Sequence, residues 1–210
     1  MPSERDILHR GLEAFAELGY DRASVRELSG RLHVSHNFLN DRYGSKAAFW
    51  RATVDFALQS QLGRMPPVDP AASDEDVLRQ VITSFYRTTL DWPHLGRLCV
   101  DESSRDTDRL DYLFDSYIAP MLATIEPSVE RLIASGRMAP MPIDVLFFAM
   151  IGPLLGLVQA PLARRLGRPD PASRQEQEAT AESLASLVIN GLLATRTPGT
   201  RTPPGLDDQT

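Results

Sequence analysis

The chain of 210 residues is short of several things, and each shortage excludes something. A single cysteine, Cys99, rules out an internal disulfide and reads as a small buried apolar side chain rather than a redox sensor. A single lysine, Lys46, stands among 22 basic residues. So general a preference for arginine reflects a GC-rich coding sequence rather than local chemistry. No apolar run approaches the roughly 18 residues of a membrane span, and no signal-peptide pattern opens the chain. The expectation is therefore a cytoplasmic protein without a membrane partner. The four histidines, His9, His33, His36 and His94, lack metal-ligand spacing. G-x-S-x-G, P-loop and dinucleotide-binding motifs are also missing, so neither enzyme, cofactor nor metal site is expected.

What is present is helical periodicity. Residues 3–18 place Ile7, Leu8, Leu12, Phe15 and Leu18 on one stripe, and Gly19 follows as a C-cap. Residues 24–46 read SVRELSGRLHVSHNFLNDRYGSK. Ser24 and Glu27 have capping-box spacing ahead of a helix from Val25 to Leu32, and small Ser29 and Gly30 permit close approach of another helix. After His33 and Val34, Ser35 is a second N-cap candidate for a helix from His36 to Tyr43, with Val34 and Leu39 inward and a polar outer face. His33 reads as a turn residue in the left-handed region. Two short helices around a tight turn, preceded by an amphipathic helix, form a helix-turn-helix.

These residues resemble the N-terminal domain of TetR-type transcriptional regulators. The correspondence runs through Gly19-Tyr20, Ser24-Val25, Leu28, Val34-Ser35, Leu39, Tyr43 and Ser45-Lys46, across about the first 60 residues. Three positions depart from the pattern: Asn40 stands where a phosphate-contacting Tyr is usual, Phe38 replaces a small residue, and His33 replaces the turn glycine. By position, the resemblance implies that His36, Asn37, Phe38 and Arg42, with Arg26 from the preceding helix, face base edges in the major groove. Ser24, Ser35, Asn40, Tyr43 and Lys46 are candidates for phosphate contacts, which set register without reading sequence. Tyr43 also ends the apolar stripe, so a core role stands beside the phosphate role. Asp41 would repel phosphate unless paired, with Arg42 or Ser45 as partners in reach, so it is expected to point away from DNA.

Net charge is −6, which is unlike a nonspecific polyanion binder. Residues 1–64 nevertheless carry nine basic and eight acidic side chains, so the acidity belongs to the remainder. DNA contact is expected at one end only, and two heads are needed to gather enough contacts.

The fold class expected is all-α: a three-helix head at 1–45, a connecting helix at 46–64, a larger helical bundle at 65–195 and a disordered tail at 196–210, with about nine helices in all. The connecting helix turns Phe49, Trp50, Val54, Ala57 and Leu58 inward, and Met65 to Ser73 is the clearest internal loop. Asp74 caps a helix to about Trp92, Pro93 stops or kinks it, and a shorter helix runs from His94 to Ser103. Pro120 and Pro127 predict kinks or a split within 108–135. A strongly apolar stretch spans Ile143 to Leu166, and the last helix runs from Ser173 to Thr195.

For the larger domain the resemblance implies an effector cavity and a four-helix dimer interface. Aromatic and thioether side chains supply candidate walls: Phe85, Trp92, Cys99, Glu102, Tyr112, Tyr117, Met121, Phe147, Phe148 and Met150, with His94, Arg97, Asp101 and Gln159 as further polar handles. The same stripes serve equally as plain core. Candidate dimer residues are Leu154, Leu157, Val158, Leu184, Leu187, Val188, Gly191 and Leu192, with closure of the subunit core as the competing role. The partners expected are an operator in double-stranded DNA, a small apolar or aromatic effector and a second copy of the chain. A helical adaptor whose head no longer reads DNA is the alternative.

Overall fold

The computed structural model describes residues 2–69 and 71–193. Every regular element among them is helical. The tail expected at 196–210, and residues 194–195 expected to close the final helix, lie outside the described residues.

The N-terminal helices start where the capping residues place them. Ser3 and Asp6 close a reciprocal capping box on α1 (Glu4–Leu18), and Gly19, at φ 74°, ends it by donating to the Phe15 carbonyl. Ser24 Oγ accepts from the Glu27 N–H to start α2 (Val25–Leu32). The third helix, α3 (Phe38–Tyr43), begins two residues later than expected. Its N-cap is Asn37, not Ser35, and makes no side-chain cap bond. The Ser35 carbonyl accepts from Phe38 N–H at 3.1 Å, in a turn that delays the helix. Ser45 Oγ accepts from Ala48 N–H and begins α4 (Lys46–Leu62).

Beyond the head, α5 (Asp74–Thr89) is capped by Ser73, not Asp74, and stops three residues before Trp92. Trp92 instead occupies the N-cap position of α6 (Pro93–Glu102), because Pro93 fits a first helical turn, where its missing N–H costs nothing. Next come α7 (Asp108–Leu113), a π turn (Phe114–Ile118) and α8 (Ala119–Ala134), which run on as one rod. The expected split does not occur: the irregularity is that π turn, just before Pro120, and Pro127 is carried inside α8. The apolar stretch after Pro142 divides into α9 (Ile143–Ile151), a 3-10 turn (Gly152–Leu154), α10 (Leu155–Val158) and α11 (Ala160–Arg165). Pro153 and Pro161, each within the first two positions of a new segment, account for the divisions. The last helix is α12 (Arg174–Leu193).

Two cores hold these elements. The first joins Leu12, Phe15, Leu28, Leu32, Leu39, Phe49 and Trp50 of α1–α4 to Trp92, Leu95 and Leu98 around α6 and to Leu113 of α7. The head is thus packed directly on α6 and α7, not hung from α4 alone. Gly11 lets α1 approach α4 closely: a Cβ there would lie 2.5 Å from Phe49 Cζ and 2.7 Å from Thr53 Cγ2. The second core gathers Leu78, Ile82 and Tyr86 of α5, Ile125 and Leu132 of α8, Leu146 and Met150 of α9, and Ala181, Ala185 and Ile189 of α12. Tyr86 donates to the Met150 carbonyl at 2.5 Å, near the point where α9 gives way to the 3-10 turn. Burial pushes the Tyr86 phenol up to about 12.

Candidate nucleic-acid interface

The α2–α3 unit is held from below and open above. Leu28, Leu32 and Leu39 are fully buried. His33 makes the turn in the left-handed region, at φ 56° and ψ 44°. Its N–H donates to Gly30 O at 3.2 Å and Val34 N–H to Ser29 O at 3.1 Å, so the last carbonyls of α2 are satisfied as the chain reverses. The glycine usual at this turn is therefore replaced by a histidine in the conformation expected of it.

On the outer face Ser24, Arg26, Ser35, His36, Asn37, Asn40 and Arg42 are exposed. Arg26, Ser29, Gly30, Val34 and His36 line a shallow concavity between the two helices. Asn37 sits at the start of α3 with its side chain uncommitted to a cap. Arg26 and His36 form no ion pair among the described residues. Phe38 is half-buried, its ring 6.4 Å from that of Tyr43.

The other candidates on this face are engaged within the chain. Arg42 reaches back to Glu4 of α1 at 2.9 Å, and that hydrogen bond raises its pKa further. Neither Arg42 nor Ser45 pairs with Asp41: Arg42 goes to Glu4, and Ser45 Oγ accepts from the Ala48 N–H. Asp41 is simply exposed. Tyr43 packs 4.9 Å from the Phe49 ring, its hydroxyl buried without a hydrogen-bond partner, and burial followed by the nearby Glu4 charge raises its pKa. Lys46 donates to the Tyr20 carbonyl at 3.0 Å and sits 4.2 Å from the centre of that ring.

Tyr20 was legible only as part of the Gly19-Tyr20 pair, yet it is a junction. The Arg109 guanidinium lies 4.0 Å from its ring centre, and Arg109 is held by Glu102 at 3.0 Å in a nearly buried ion pair. Asp21 pairs with Arg105 at 3.0 Å. Asp55 of α4 accepts from both Tyr112 and Tyr117 at 2.6 Å. Burial and this carboxylate raise both phenol pKa values. Apart from Glu102 and Arg109, these partners stand 57 to 89 residues apart, a separation at which periodicity carries no signal.

The ten side chains expected around an effector do not converge on one chamber. Trp92, Cys99, Tyr112 and Tyr117 pack on the first core, and Phe85 and Met150 belong to the second. Glu102 is occupied by Arg109 and Thr107. Phe147 and Phe148 pair with each other at 5.7 Å, and Phe148 is 64% exposed. Met121 is half-buried. Burial, with the Glu102 charge, pushes the Cys99 thiol up to about 12. The dimer candidates divide as well. Leu154, Val188 and Leu192 are buried within the subunit, Leu157, Val158 and Leu184 are half-buried, and Leu187 and Gly191 are exposed.

This geometry defines a helix-turn-helix protein. Residues 7–53 match the profile of the bacterial regulatory proteins of the tetR family. A stretch of 94 residues, 44% of the chain, is 26% identical to an uncharacterized HTH-type transcriptional regulator, YezE, of Bacillus subtilis (strain 168). The chain spans about half the length of that relative, 48%. Whole-chain likeness comes from solved structures. The TetR family transcriptional regulator PfmR from Thermus thermophilus superposes with a TM-score of 0.67 at 17% identity, over 91% of this chain and 98% of that one. A TetR family regulator from Marinobacter aquaeolei gives 0.61 at 19% identity, over 86% and 92%. At these identities the likeness is one of fold. No helix among the described residues is long and apolar enough to cross a membrane.

Proposed function

We propose that the protein is a homodimeric transcriptional repressor that reads a palindromic operator through Arg26 and the outer face of α3, and that a small apolar or aromatic effector releases it. The observation that carries the reading is the α2–α3 unit, whose buried leucines fix two helices at a left-handed turn while His36, Asn37 and Asn40 face outward with Arg26 beside them. Asn37 can pair with an adenine edge and Arg26 with guanine, and Phe38 can pack on a thymine methyl. Ser24, Ser35 and Asn40 are the phosphate contacts in this reading. Arg42 reaches DNA once it leaves Glu4, and Tyr43 and Lys46 support the fold first.

Dimerisation through α9–α12 fits the distribution of apolar surface. Nine large apolar side chains are exposed among the described residues, and seven of them fall between 143 and 187. A patch of that kind marks an association surface. Two heads related by a two-fold axis would meet half-sites about one helical turn apart.

Release requires that effector binding favour a different placement of the heads. The contacts of Tyr20 with Arg109 and of Asp55 with Tyr112 and Tyr117 give α7 a direct hold on the head, beside the route through α6 and α4. The adaptor reading draws on the exposed Asp41 and on the pairing of Arg42 with Glu4.

The test is binding to DNA from beside the protein's own gene across a salt series. Selective binding that weakens with salt and is lost in Arg26→Ala/Asn37→Ala is the expected result. Absence of selectivity with dimerisation intact would favour the adaptor.

A further inference from the structure

The rod formed by α7, the π turn and α8 passes from one core to the other. Leu113 at the end of α7 is buried in the first core, with the head, and Ile125, Val129 and Leu132 of α8 are buried in the second. Two helices fixed on different cores need a set rotation of one against the other, and the π turn (Phe114–Ile118) is where that rotation is set. The Ala119 N–H donates to the Phe114 carbonyl, five residues back instead of the four of an α-helix, so the turn holds one extra residue. Such turns are rare and occur frequently at functional sites.

The extra residue brings two tyrosines together. Around a regular α-helix, positions five apart point about 140° away from each other. With one residue absorbed by the π turn, Tyr112 and Tyr117 fall on one side of the rod, and both phenols donate to the same oxygen of Asp55 in α4, each at 2.6 Å. Helix α7 holds the head a second time, since the Arg109 guanidinium lies 4.0 Å from the centre of the Tyr20 ring. An α-helical register through 114–118 would turn α7 by about 100° against α8. It would part the two phenols and carry Leu113 and Arg109 off the head.

We propose that Asp55, Tyr112 and Tyr117 form a latch on a two-register element. Latched, the rod keeps its π turn and α7 stays seated on the head. Unlatched, the turn passes to the α-helical register and α7 rotates away from Tyr20. An element with two discrete arrangements is what a signal between body and head requires. Asp55 is a positioning residue in this scheme, acting on the head through α7. The consequence for DNA rests on the proposed function, while the register itself does not.

The test uses the full chain, with amide hydrogen exchange followed residue by residue and crystal structures of the variants. Tyr112→Phe/Tyr117→Phe removes both phenolic donors and keeps the rings. It is expected to raise exchange across 108–118 at least about tenfold, the scale of a lost hydrogen bond to a charged group, with α8 unchanged. In the crystal the Ala119 N–H is expected to move from the Phe114 to the Asp115 carbonyl. Deleting the exposed Ser116 in that same variant takes away the extra residue, so an α-helical register then keeps the faces of α7 and α8 in phase. Wild-type protection of α7 is expected to return without either phenol. An Ala119 N–H still bonded to Phe114 in the double variant overturns the proposal. So does failure of the Ser116 deletion to restore protection, which would leave the tyrosines as ordinary packing contacts. Operator binding, measured on the same proteins, is expected to weaken in the double variant and recover with the deletion. A wild-type chain that binds no DNA counts against the proposed function alone, and the register is still decided by exchange and by the Ala119 bond.

Discussion

Two exposed faces of this molecule differ in kind. The outer face of α2–α3 presents Arg26, His36, Asn37 and Asn40 over a fully buried leucine floor. The face built from α9–α12 presents Phe148, Leu155, Leu162, Leu166 and Leu187 to solvent. A polar face loses little in water and waits for a partner that offers hydrogen-bonding edges and charge. An apolar face of that extent is unfavourable in water, and association through it is driven by burial. The contrast teaches that the two faces suit different chemistry: under the proposed function, a groove of DNA for the polar one and a second copy of the chain for the apolar one.

The contrast can be broken most severely at the apolar end. Replacing Phe148 and Leu187 together by Glu is expected to convert a dimer to monomers in sedimentation and to abolish tight operator binding, because single heads gather too few contacts. A dimer that survives the double change would move the interface elsewhere. The next effect falls on the link between the head and α7. Arg109→Ala strands the Glu102 carboxylate, which is only 6% exposed, and is expected to cost about 3–5 kcal/mol in denaturant unfolding. A loss below about 1 kcal/mol would show that water reaches Glu102 and that the pair is a surface contact.

At the polar end, Arg26→Ala and Asn37→Ala are each expected to reduce specific DNA affinity by about 1–3 kcal/mol, relaxing sequence preference while leaving thermal stability unchanged. Equal losses on specific and random DNA would reassign them to phosphate contact. The smallest effect is alkaline. Folding raises the Tyr86 phenol to about 12, so the unfolded chain gives up this proton first. Its contribution is complete below pH 10, the ordinary phenol value, and is lost as pH climbs toward 12. Tyr86→Phe is expected to flatten that part of the stability profile measured by urea unfolding. An unaltered profile would mean that Tyr86 ionises in the fold as it does unfolded.

The head was the more legible half of the molecule. The Ser24 cap and the spacing of Leu28, Leu32 and Leu39 are local signals, and both survive into the structure. Ser35 misled because a serine before a helix satisfies the N-cap pattern whether or not the backbone delays the first turn. Trp92 continued the α5 stripe on paper, but Pro93 favours the start of a new helix, and the chain turns three residues earlier. The site residues resisted more strongly. Nothing near Arg42 announces Glu4, 38 positions away, and nothing near Tyr20 announces Arg109. Aromatic stripes in the body identified buried positions without saying which neighbours they would meet. Phe85 and Trp92, seven residues apart, end in different cores.

The central claim is that the outer face of α2–α3 reads DNA, and selection from a randomised duplex pool tests it most directly. The folded, dimeric protein is expected to enrich an inverted repeat whose half-sites lie about one helical turn apart, with enrichment lost in Arg26→Ala/Asn37→Ala. A pool that emerges without any enriched sequence at low salt, from protein still folded and dimeric, would contradict the account.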